Sequence, residues 1–156
     1  MTYIKTKLKR SIDIDAIITL HYFEYMKNFE FKGESHDFWE FLYVDKGTIA
    51  VRADDTWTTL KTGDIIFHQP NEFHAIKSIG KDSPNLVVMS FTCDSPAMDF
   101  FIRRNFTLSM EEFHDIADHH RSPADVFHAN AYSFCRTGRV KRQYTVCFTA
   151  DDPSLP

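Results

Sequence analysis

Residues 36–47 read HDFWEFLYVDKG, and this stretch decides the fold because it joins a strand signal to a turn signal. Its large apolar and aromatic residues are the kind that pack well on a pleated sheet. Lys46-Gly47 then predicts a tight turn into a second strand, TIAVRA. On a strand, His36, Phe38 and Glu40 would share one face. The stretch therefore places an imidazole and a carboxylate side by side on a sheet.

The same pattern extends in both directions, from about residue 17 to about residue 93. Turn signals separate the predicted strands at Asp54-Asp55, Lys61 to Asp64, Gln69 to Glu72 and the loop GKDSPN. About seven or eight short strands, with a turn every ten residues or so, predict an antiparallel sandwich or barrel. No 10–15-residue helical pattern lies between them, which argues against a βαβ sheet. The fold class is therefore all-β.

Composition excludes several classes of protein. A chain of 156 residues predicts one domain. A net charge of −4 and a pI near 6.0 predict no direct nucleic-acid contact. The three cysteines (Cys93, Cys135 and Cys147) show no CxxC spacing, which favours free thiols in a reducing cytoplasm. There is no signal-peptide pattern and no apolar run long enough to span a bilayer, so we expect a cytoplasmic protein without membrane contact.

After Cys93 the pattern becomes helical. Ser95-Pro96 is a suitable helix start, and Ser109 stands three residues before Glu112, the spacing of a capping box. We therefore predict a β-barrel with an N-terminal arm over residues 1–95 and short C-terminal helices in an extension over residues 96–120. Residues 121–156 form a tail for which the sequence predicts no structure.

Two motifs in the strand region resemble those of the cupin superfamily. The first comprises Gly33, His36, Glu40 and Gly47, and the second comprises Gly63, Asp64, Pro70 and His74. This resemblance implies a double-stranded β-helix, or jelly-roll barrel, with the two motifs facing one another inside it. His36, Glu40 and His74 would then converge in the barrel.

The motifs also depart from the cupin pattern. Glu34 stands where the first histidine of the usual HxH is expected, and the second motif is one residue shorter and lacks its glycine. Ser78 replaces the usual closing asparagine. We therefore expect no metal. The alternative is an Fe(II), Mn(II) or Zn(II) site formed by His36, Glu40, His74 and Glu34, because histidine and carboxylate ligands suit these ions. A third possibility is that His36 and Glu40 simply satisfy one another inside the barrel.

The departures themselves resemble the N-terminal effector-binding, arabinose-binding-like domain of AraC-type transcription regulators, over roughly residues 15–105. The resemblance implies a homodimer and a small-molecule effector, most often a sugar. The predicted ligand-binding residues are His36, Phe38, Glu40, His74 and Glu34. An N-terminal arm closes over the ligand in that family, which suggests contacts from Tyr3 and Arg10. The family's helix-turn-helix half is not in this sequence, so we expect a truncated or frame-disrupted sensor domain, or a sensor-only protein.

The rival class of function is a metal-dependent cupin enzyme of the sugar isomerase or dioxygenase type, and we expect the chain not to be an enzyme. Fold alone does not decide between them. His21 and His68 are interpreted as ordinary strand residues. His119 and His120 could form a zinc site with Cys135 or Cys147, but their spacing matches no standard zinc pattern.

Overall fold

A computed structural model of the chain describes residues 12–108 and 140–146. It contains ten strands and one 3-10 helix, which spans Pro96–Phe101. The strands are β1 Ala16–Tyr25, β2 Glu30–Glu34, β3 Trp39–Lys46, β4 Thr48–Ala53, β5 Thr56–Lys61, β6 Asp64–His68, β7 His74–Ser78, β8 Asn85–Thr92, β9 Asn105–Thr107 and β10 Val140–Val146.

The strands form two antiparallel sheets that face one another. One sheet has the order β10-β1-β8-β3-β6-β9, and the other has the order β2-β7-β4-β5. Consecutive strands therefore often lie in different sheets, as in a jelly-roll barrel. The all-β prediction is confirmed. Each cupin-like motif spans both sheets, because the first leads from β2 into β3 and the second leads from β6 into β7. β3 pairs with β6 and β2 pairs with β7, so the two motifs lie side by side.

Turn residues in the left-handed region fix the hairpins. Gly47, between β3 and β4, has a φ of 89°, and Gly63, between β5 and β6, has a φ of 91°. Asp54 and Asn71 occupy the same region with φ of 48° and 66°. Glycine, asparagine and aspartate are the residues that tolerate this conformation best. Four of the turn signals in the sequence, at Lys46-Gly47, Asp54-Asp55, Lys61 to Asp64 and Gln69 to Glu72, therefore lie at turns in the structure.

The space between the sheets divides into two ends. Along β3, Glu40 is followed on the same face by Leu42 and Val44, and along β8 Ser90 is followed by Val88 and Leu86. Because the register pairs Glu40 with Ser90 and Val44 with Leu86, the polar residues meet at one end and the apolar ones at the other. The apolar end also contains Ile49, Val51, Leu60, Tyr25 and Phe29. This end anchors the barrel by apolar burial.

A second apolar cluster covers the outer face of the six-stranded sheet. Trp39, Phe91 and Cys93 pack there against Met98 of the 3-10 helix. The sequence predicts Ser95 as the cap of this helix, but its hydroxyl makes no cap hydrogen bond in the structure. The hydroxyl instead accepts a hydrogen bond from the Asp13 main-chain N–H at 2.8 Å. The segment after β8 is therefore held to the barrel by both apolar packing and a hydrogen bond.

Several strand predictions agree with the structure, and the C-terminal part differs. The predicted extension over residues 96–120 begins with a 3-10 helix, but Asn105–Thr107 forms β9, because it pairs with Asp64–Ile66 of β6. β10 pairs with β1, so the larger sheet extends past residue 95 into the region predicted as a tail. The predicted helix near Ser109, the arm residues Tyr3 and Arg10, and the histidine-cysteine group lie outside the described residues. Within the described ranges, no helix is long and apolar enough to cross a membrane.

Leu60→Ala should destabilise the fold. Leu60 is fully buried in the apolar end, and removing its isobutyl group leaves a cavity that the neighbouring strands fill only in part. We expect a loss of about 2–5 kcal/mol in the free energy of unfolding, measured by urea denaturation. Thr59→Ala is the matched control, because Thr59 is the adjacent, exposed residue of the same strand and should change stability by less than about 1 kcal/mol. Equal losses in both variants would contradict this account of the core.

Candidate functional site

The polar end of the barrel is centred on Glu40, a buried residue that is 8% exposed. Glu40 lies opposite Ser90 of β8 and His68 of β6. The Ser90 hydroxyl donates to Glu40 Oε2 at 2.9 Å, and Thr19 of β1 donates to Ser90 Oγ at 3.0 Å. A buried carboxylate requires such partners because its desolvation is costly. Three strands of one sheet therefore support this side chain.

Two histidines approach Glu40 from different elements. His74 is the first residue of β7 in the opposite sheet, and its Nε2 lies 3.4 Å from Glu40 Oε1. His36 Nε2 lies 3.6 Å from Glu40 Oε2. The sequence predicted this meeting, but for His36 the geometry differs from the prediction. His36 and Phe38 precede β3, which begins at Trp39, so they do not share a strand face with Glu40.

The loop before β3 presents His36 by local contacts instead. His36 Nδ1–H donates to the Phe38 carbonyl at 3.0 Å, and the two rings stack with centroids 3.8 Å apart and planes 9° from parallel. The loop is also tied to the other motif, because the Asn71 N–H donates to the His36 carbonyl at 2.6 Å. The His36 ring is therefore fixed before any ligand arrives.

Glu34 reaches the same cluster through an irregularity in β2. It lies opposite His74 in the register, after a shift between Phe31 and Glu34, and its Oε1 is 4.0 Å from His74 Nε2. Its side chain is 56% exposed, whereas that of Glu40 is 10% exposed. The cluster is therefore open to solvent on the Glu34 side. One atom from each of Glu34, His36, Glu40 and His74 can be chosen so that all four lie within 4.8 Å of one another.

Gly33 makes this arrangement possible. Its φ is 108°, and a Cβ there would meet the Phe73 ring and lie 2.6 Å from the His74 carbonyl oxygen. No other residue would allow β2 to approach β7 so closely without movement of the backbone. This glycine, which belongs to the first motif, therefore determines where Glu34 stands relative to His74.

His68 is a member of the site that sequence reasoning missed. It is fully buried, and its Nδ1–H donates to Glu72 Oε1 at 2.6 Å. Its ring stacks on that of His74, with centroids 4.5 Å apart and planes 17° from parallel. The Glu72 carbonyl in turn accepts from His74 Nδ1–H at 3.1 Å. Glu72 thus orients both rings, one through its carboxylate and one through its main chain.

His21 of β1 also belongs to this end of the barrel. It stands between Thr19 and Phe23 on the inward face, and its ring centroid lies 5.3 Å from that of Phe23. Burial lowers the pKa of His21 below its ordinary value, although the nearby Glu40 carboxylate partly opposes this. All four histidines of the described residues therefore lie around Glu40. Period-2 alternation could have placed His21 and His68 on inner faces, but it does not say which face of a strand is inner.

Three imidazoles share an unusual pattern. The Nδ1 atoms of His36, His68 and His74 each have an acceptor, whereas their Nε2 atoms are buried and have no hydrogen-bond partner among the described residues. Buried polar atoms without a partner are rare, because each costs about 1–3 kcal/mol. Within the described residues, these three nitrogens therefore have unused hydrogen-bonding capacity.

Electrostatics couples Glu40 to His74. Burial alone would raise the pKa of Glu40, but His74, the Ser90 hydroxyl and His36 together hold this pKa below its ordinary value. Burial alone would lower the pKa of His74, but the Glu40 carboxylate, the Glu72 carbonyl and Glu34 raise it above 6.5. Each group therefore favours the charged form of the other.

A cavity of about 360 Å³ lies between the edges of the two sheets and shares Glu72 with the site. Thr56 and Thr58 of β5 line one side, and Arg103 and Asn105 line the other. Glu34, His36, Glu40 and His74 do not line it. Glu72 is therefore the residue that the cavity and the polar end share.

The sequence from residue 19 to residue 142 matches the family model described as the AraC-like ligand binding domain. The chain belongs to this family. No curated protein matches the sequence. The match ends within β10, the strand that pairs with β1 in the larger sheet.

Solved structures similar to this AraC-like domain include cupins and an AraC-type regulator. The cupin domain of Cnp3 from Schizosaccharomyces pombe is 16% identical, with a TM-score of 0.45 over 55% of this chain and 57% of that chain. ToxT from Vibrio cholerae, bound to unsaturated fatty acid, is 8% identical, with a TM-score of 0.46 over 70% and 47%. The DMSP lyase DddQ from Ruegeria pomeroyi is 16% identical, with a TM-score of 0.42 over 60% and 43%. The family assignment rests on the sequence match alone.

Glu40→Gln should lower the pKa of His74, because it removes the charge that outweighs burial. In the wild type, the pKa of His74 is higher in the folded state than in the unfolded state, so protonated His74 stabilises the fold. This contribution is complete below about pH 6.5, as long as Glu40 remains ionised. It is lost as the pH rises through the folded-state pKa of His74. The stability difference between wild type and variant should therefore be largest between about pH 4.5 and 6.5 and smaller above this range.

NMR titration of the imidazole resonances measures the pKa, and urea denaturation at several pH values measures the stability. Glu30→Gln is the control, since Glu30 is an exposed glutamate that pairs with Lys32. A His74 pKa that is the same in wild type and Glu40→Gln would refute the coupling.

Gly33→Ala should disturb the site as well as the fold. The added methyl group meets the His74 carbonyl, and the positive φ is strained for alanine, so we expect a loss of roughly 1–3 kcal/mol in the free energy of unfolding. Imidazole NMR should also show a changed His74 environment. Gly80→Ala is a matched control: Gly80 also has a positive φ, of 93°, but the nearest atom to an added Cβ is 3.9 Å away. If Gly80→Ala perturbs His74 equally, steric contact at Gly33 is not the cause.

Proposed function

We propose that this AraC-like domain binds a small polar effector at the polar end of the barrel, through His36, Phe38, Glu40, His74 and Glu34. The observation that carries the proposal is the set of buried Nε2 atoms that lack hydrogen-bond partners among residues 12–108 and 140–146. A bound molecule would supply those partners and recover the free energy that the empty site forgoes. Solvent access at Glu34 offers an entrance.

A sugar or related polyol is the effector class that we propose. Its C–H faces would pack against the half-buried Phe38 ring, and its hydroxyl groups would meet the carboxylates and imidazoles. We further propose that the domain acts as a regulatory sensor of transcription and not as an enzyme, because it belongs to a ligand-binding family. From the same family resemblance we propose a cytoplasmic homodimer that does not itself contact nucleic acid or membrane.

Effector binding should raise the melting temperature of the full chain. At a ligand concentration of 100 times Kd, linkage adds about 2.7 kcal/mol, which corresponds to a shift of roughly 5–10 °C. Aldopentoses, aldohexoses and their reduced polyols form a suitable panel for thermal-shift screening, with unsaturated fatty acid as a comparison. His74→Gln should remove the shift, and Thr59→Ala, an exposed change, should retain it. A shift that survives in His74→Gln would place the ligand elsewhere, and no shift across the panel would refute the sugar proposal.

A divalent metal site is the second candidate function, and the donor set favours it. The Nδ1–H groups of His36 and His74 donate hydrogen bonds to main-chain carbonyls. Metal-binding imidazoles are commonly oriented in this way. Two Nε2 atoms and two carboxylates would suit Fe(II), Mn(II) or Zn(II). These residues therefore fit a metal. A bound ion would polarise a substrate oxygen or activate a water molecule, as a sugar isomerase or dioxygenase requires.

Metal analysis of the purified chain tests this second candidate. If the metal function is correct, elemental analysis should find about one Fe, Mn or Zn per chain, and His74→Ala should lose it. His21→Ala is the control, because His21 is not in the four-residue group. Metal at a stoichiometry that is unchanged in His74→Ala would exclude this cluster as the site.

A further inference from the structure

The cavity of about 360 Å³ lies between the edges of the two sheets, and the proposed effector function makes no use of it. β5 is an edge strand of the four-stranded sheet and β9 is an edge strand of the six-stranded sheet, so no strand of the described residues covers this side. Pockets that bind small molecules have volumes of about 300–1,000 Å³. The cavity is therefore large enough for a molecule of the size of a monosaccharide.

Hydrogen bonds hold the main chain on both sides of the cavity. On one side, the Asp54 N–H donates to the Phe73 carbonyl at 2.8 Å, and the Phe73 N–H donates to Asp54 Oδ1 at 3.2 Å. On the other side, Asn105 begins β9 and pairs with Ile66 of β6. The side chains that line the cavity therefore extend from a main chain that is fixed without a ligand.

Two arginines give one side of the cavity a positive charge. Arg103 and Arg104 both line it, and within the described residues neither of them forms an ion pair with a carboxylate. The Arg104 guanidinium lies over the Phe100 ring, with its carbon 4.7 Å from the ring centroid. A guanidinium without an anionic partner can bind a carboxylate through two parallel N–H···O bonds. This side of the cavity therefore favours an anionic group.

The carboxylates that line the cavity already have partners. Asp55 lies 3.6 Å from the Arg52 guanidinium, and Glu72 Oε1 accepts a hydrogen bond from the His68 ring at 2.6 Å. A carboxylate with one partner can still accept a hydrogen bond from a hydroxyl group, but it repels a second anion. The anionic group of a ligand would therefore lie toward the arginines, and its hydroxyl groups would lie toward the carboxylates.

Neutral polar side chains complete the lining of the cavity, and they are Thr56, Thr58 and Asn105. Hydroxyl and amide groups both donate and accept hydrogen bonds, so they match the hydroxyl groups of a sugar. Ala53 and Ile66 add apolar surface, against which the C–H groups of a sugar can pack. The cavity therefore combines a cationic side with several hydrogen-bonding groups.

We propose that this cavity is a second ligand site and that it binds a hydroxylated carboxylic acid of monosaccharide size, such as a sugar acid. The carboxylate would bind the guanidinium of Arg103, and Arg104 would add positive charge beside it. The hydroxyl groups of the ligand would bind Thr56, Thr58 and Asn105. None of the four-residue group at the polar end lines this cavity, so the second site does not depend on the proposed effector function.

Calorimetric titration of the full chain with gluconate, glucose and acetate tests the proposal. The titrations are carried out at neutral pH and low ionic strength, because salt screens the attraction between a carboxylate and a guanidinium. EDTA is present, so that gluconate cannot bind through a metal ion. Gluconate and glucose are both polyhydroxylated but differ in charge, and acetate carries the charge without the hydroxyl groups. We expect gluconate to bind about tenfold or more tightly than either glucose or acetate.

Variants of the lining residues assign the binding to the cavity. Arg103→Gln should lower the affinity for gluconate about tenfold, and Arg103→Lys should restore part of it, because lysine keeps the charge but not the paired N–H donors. Thr58→Val should lower the affinity about three- to tenfold, since it removes one hydroxyl group at nearly constant shape. Lys81→Gln is the matched control, because it removes an exposed positive charge that does not line the cavity.

His74→Gln separates this site from the proposed effector site, and we expect it to keep its affinity for gluconate. Gluconate binding that is lost in His74→Gln and kept in Arg103→Gln would overturn the inference and leave the proposed effector function in place. Equal losses in Arg103→Gln and Lys81→Gln, equal affinity for gluconate and glucose or acetate, or no binding of gluconate would also overturn it. The melting temperature of each variant without ligand separates loss of binding from loss of fold.

Discussion

The Glu40 carboxylate is buried between two sheets, and a charge in that position must be compensated by its neighbours. Ser90, His36 and His74 supply the compensation, and they come from an adjacent strand, the preceding loop and the opposite sheet. Each of these three elements is therefore held in place partly by its contact with the Glu40 carboxylate. The same contacts keep the pKa of Glu40 below its ordinary value and that of His74 above its own.

The barrel has an apolar end and a polar end. Leucine, isoleucine and valine side chains fill one end, so the fold does not depend on a ligand to bury apolar surface. The other end holds four histidines and three glutamates (Glu34, Glu40 and Glu72), and three of its imidazole nitrogens are buried without partners in the described residues. Such groups are tolerated because the apolar end is well packed.

Glu72 shows how a residue that was not among the predicted site residues can organise a site. Its carboxylate fixes His68, its carbonyl fixes His74, and it also lines the neighbouring cavity. The sequence signal PNEFH drew attention to Pro70 and His74 as motif members. It gave no reason to select Glu72, because a glutamate in a turn is more often exposed to solvent.

Periodicity and turn chemistry determined the all-β fold and placed β1 and β3 to β8 correctly, because alternating apolar residues and turn-forming residues act over a few neighbouring positions. The motif residues also predicted that His36, Glu40 and His74 would meet. Tertiary structure alone decided the rest. β2 is short and half-exposed, and β9 exists because Asn105–Thr107 finds a partner in β6, which no local pattern encodes. His21 and His68 join the site because strand register between distant segments determines which face is inner.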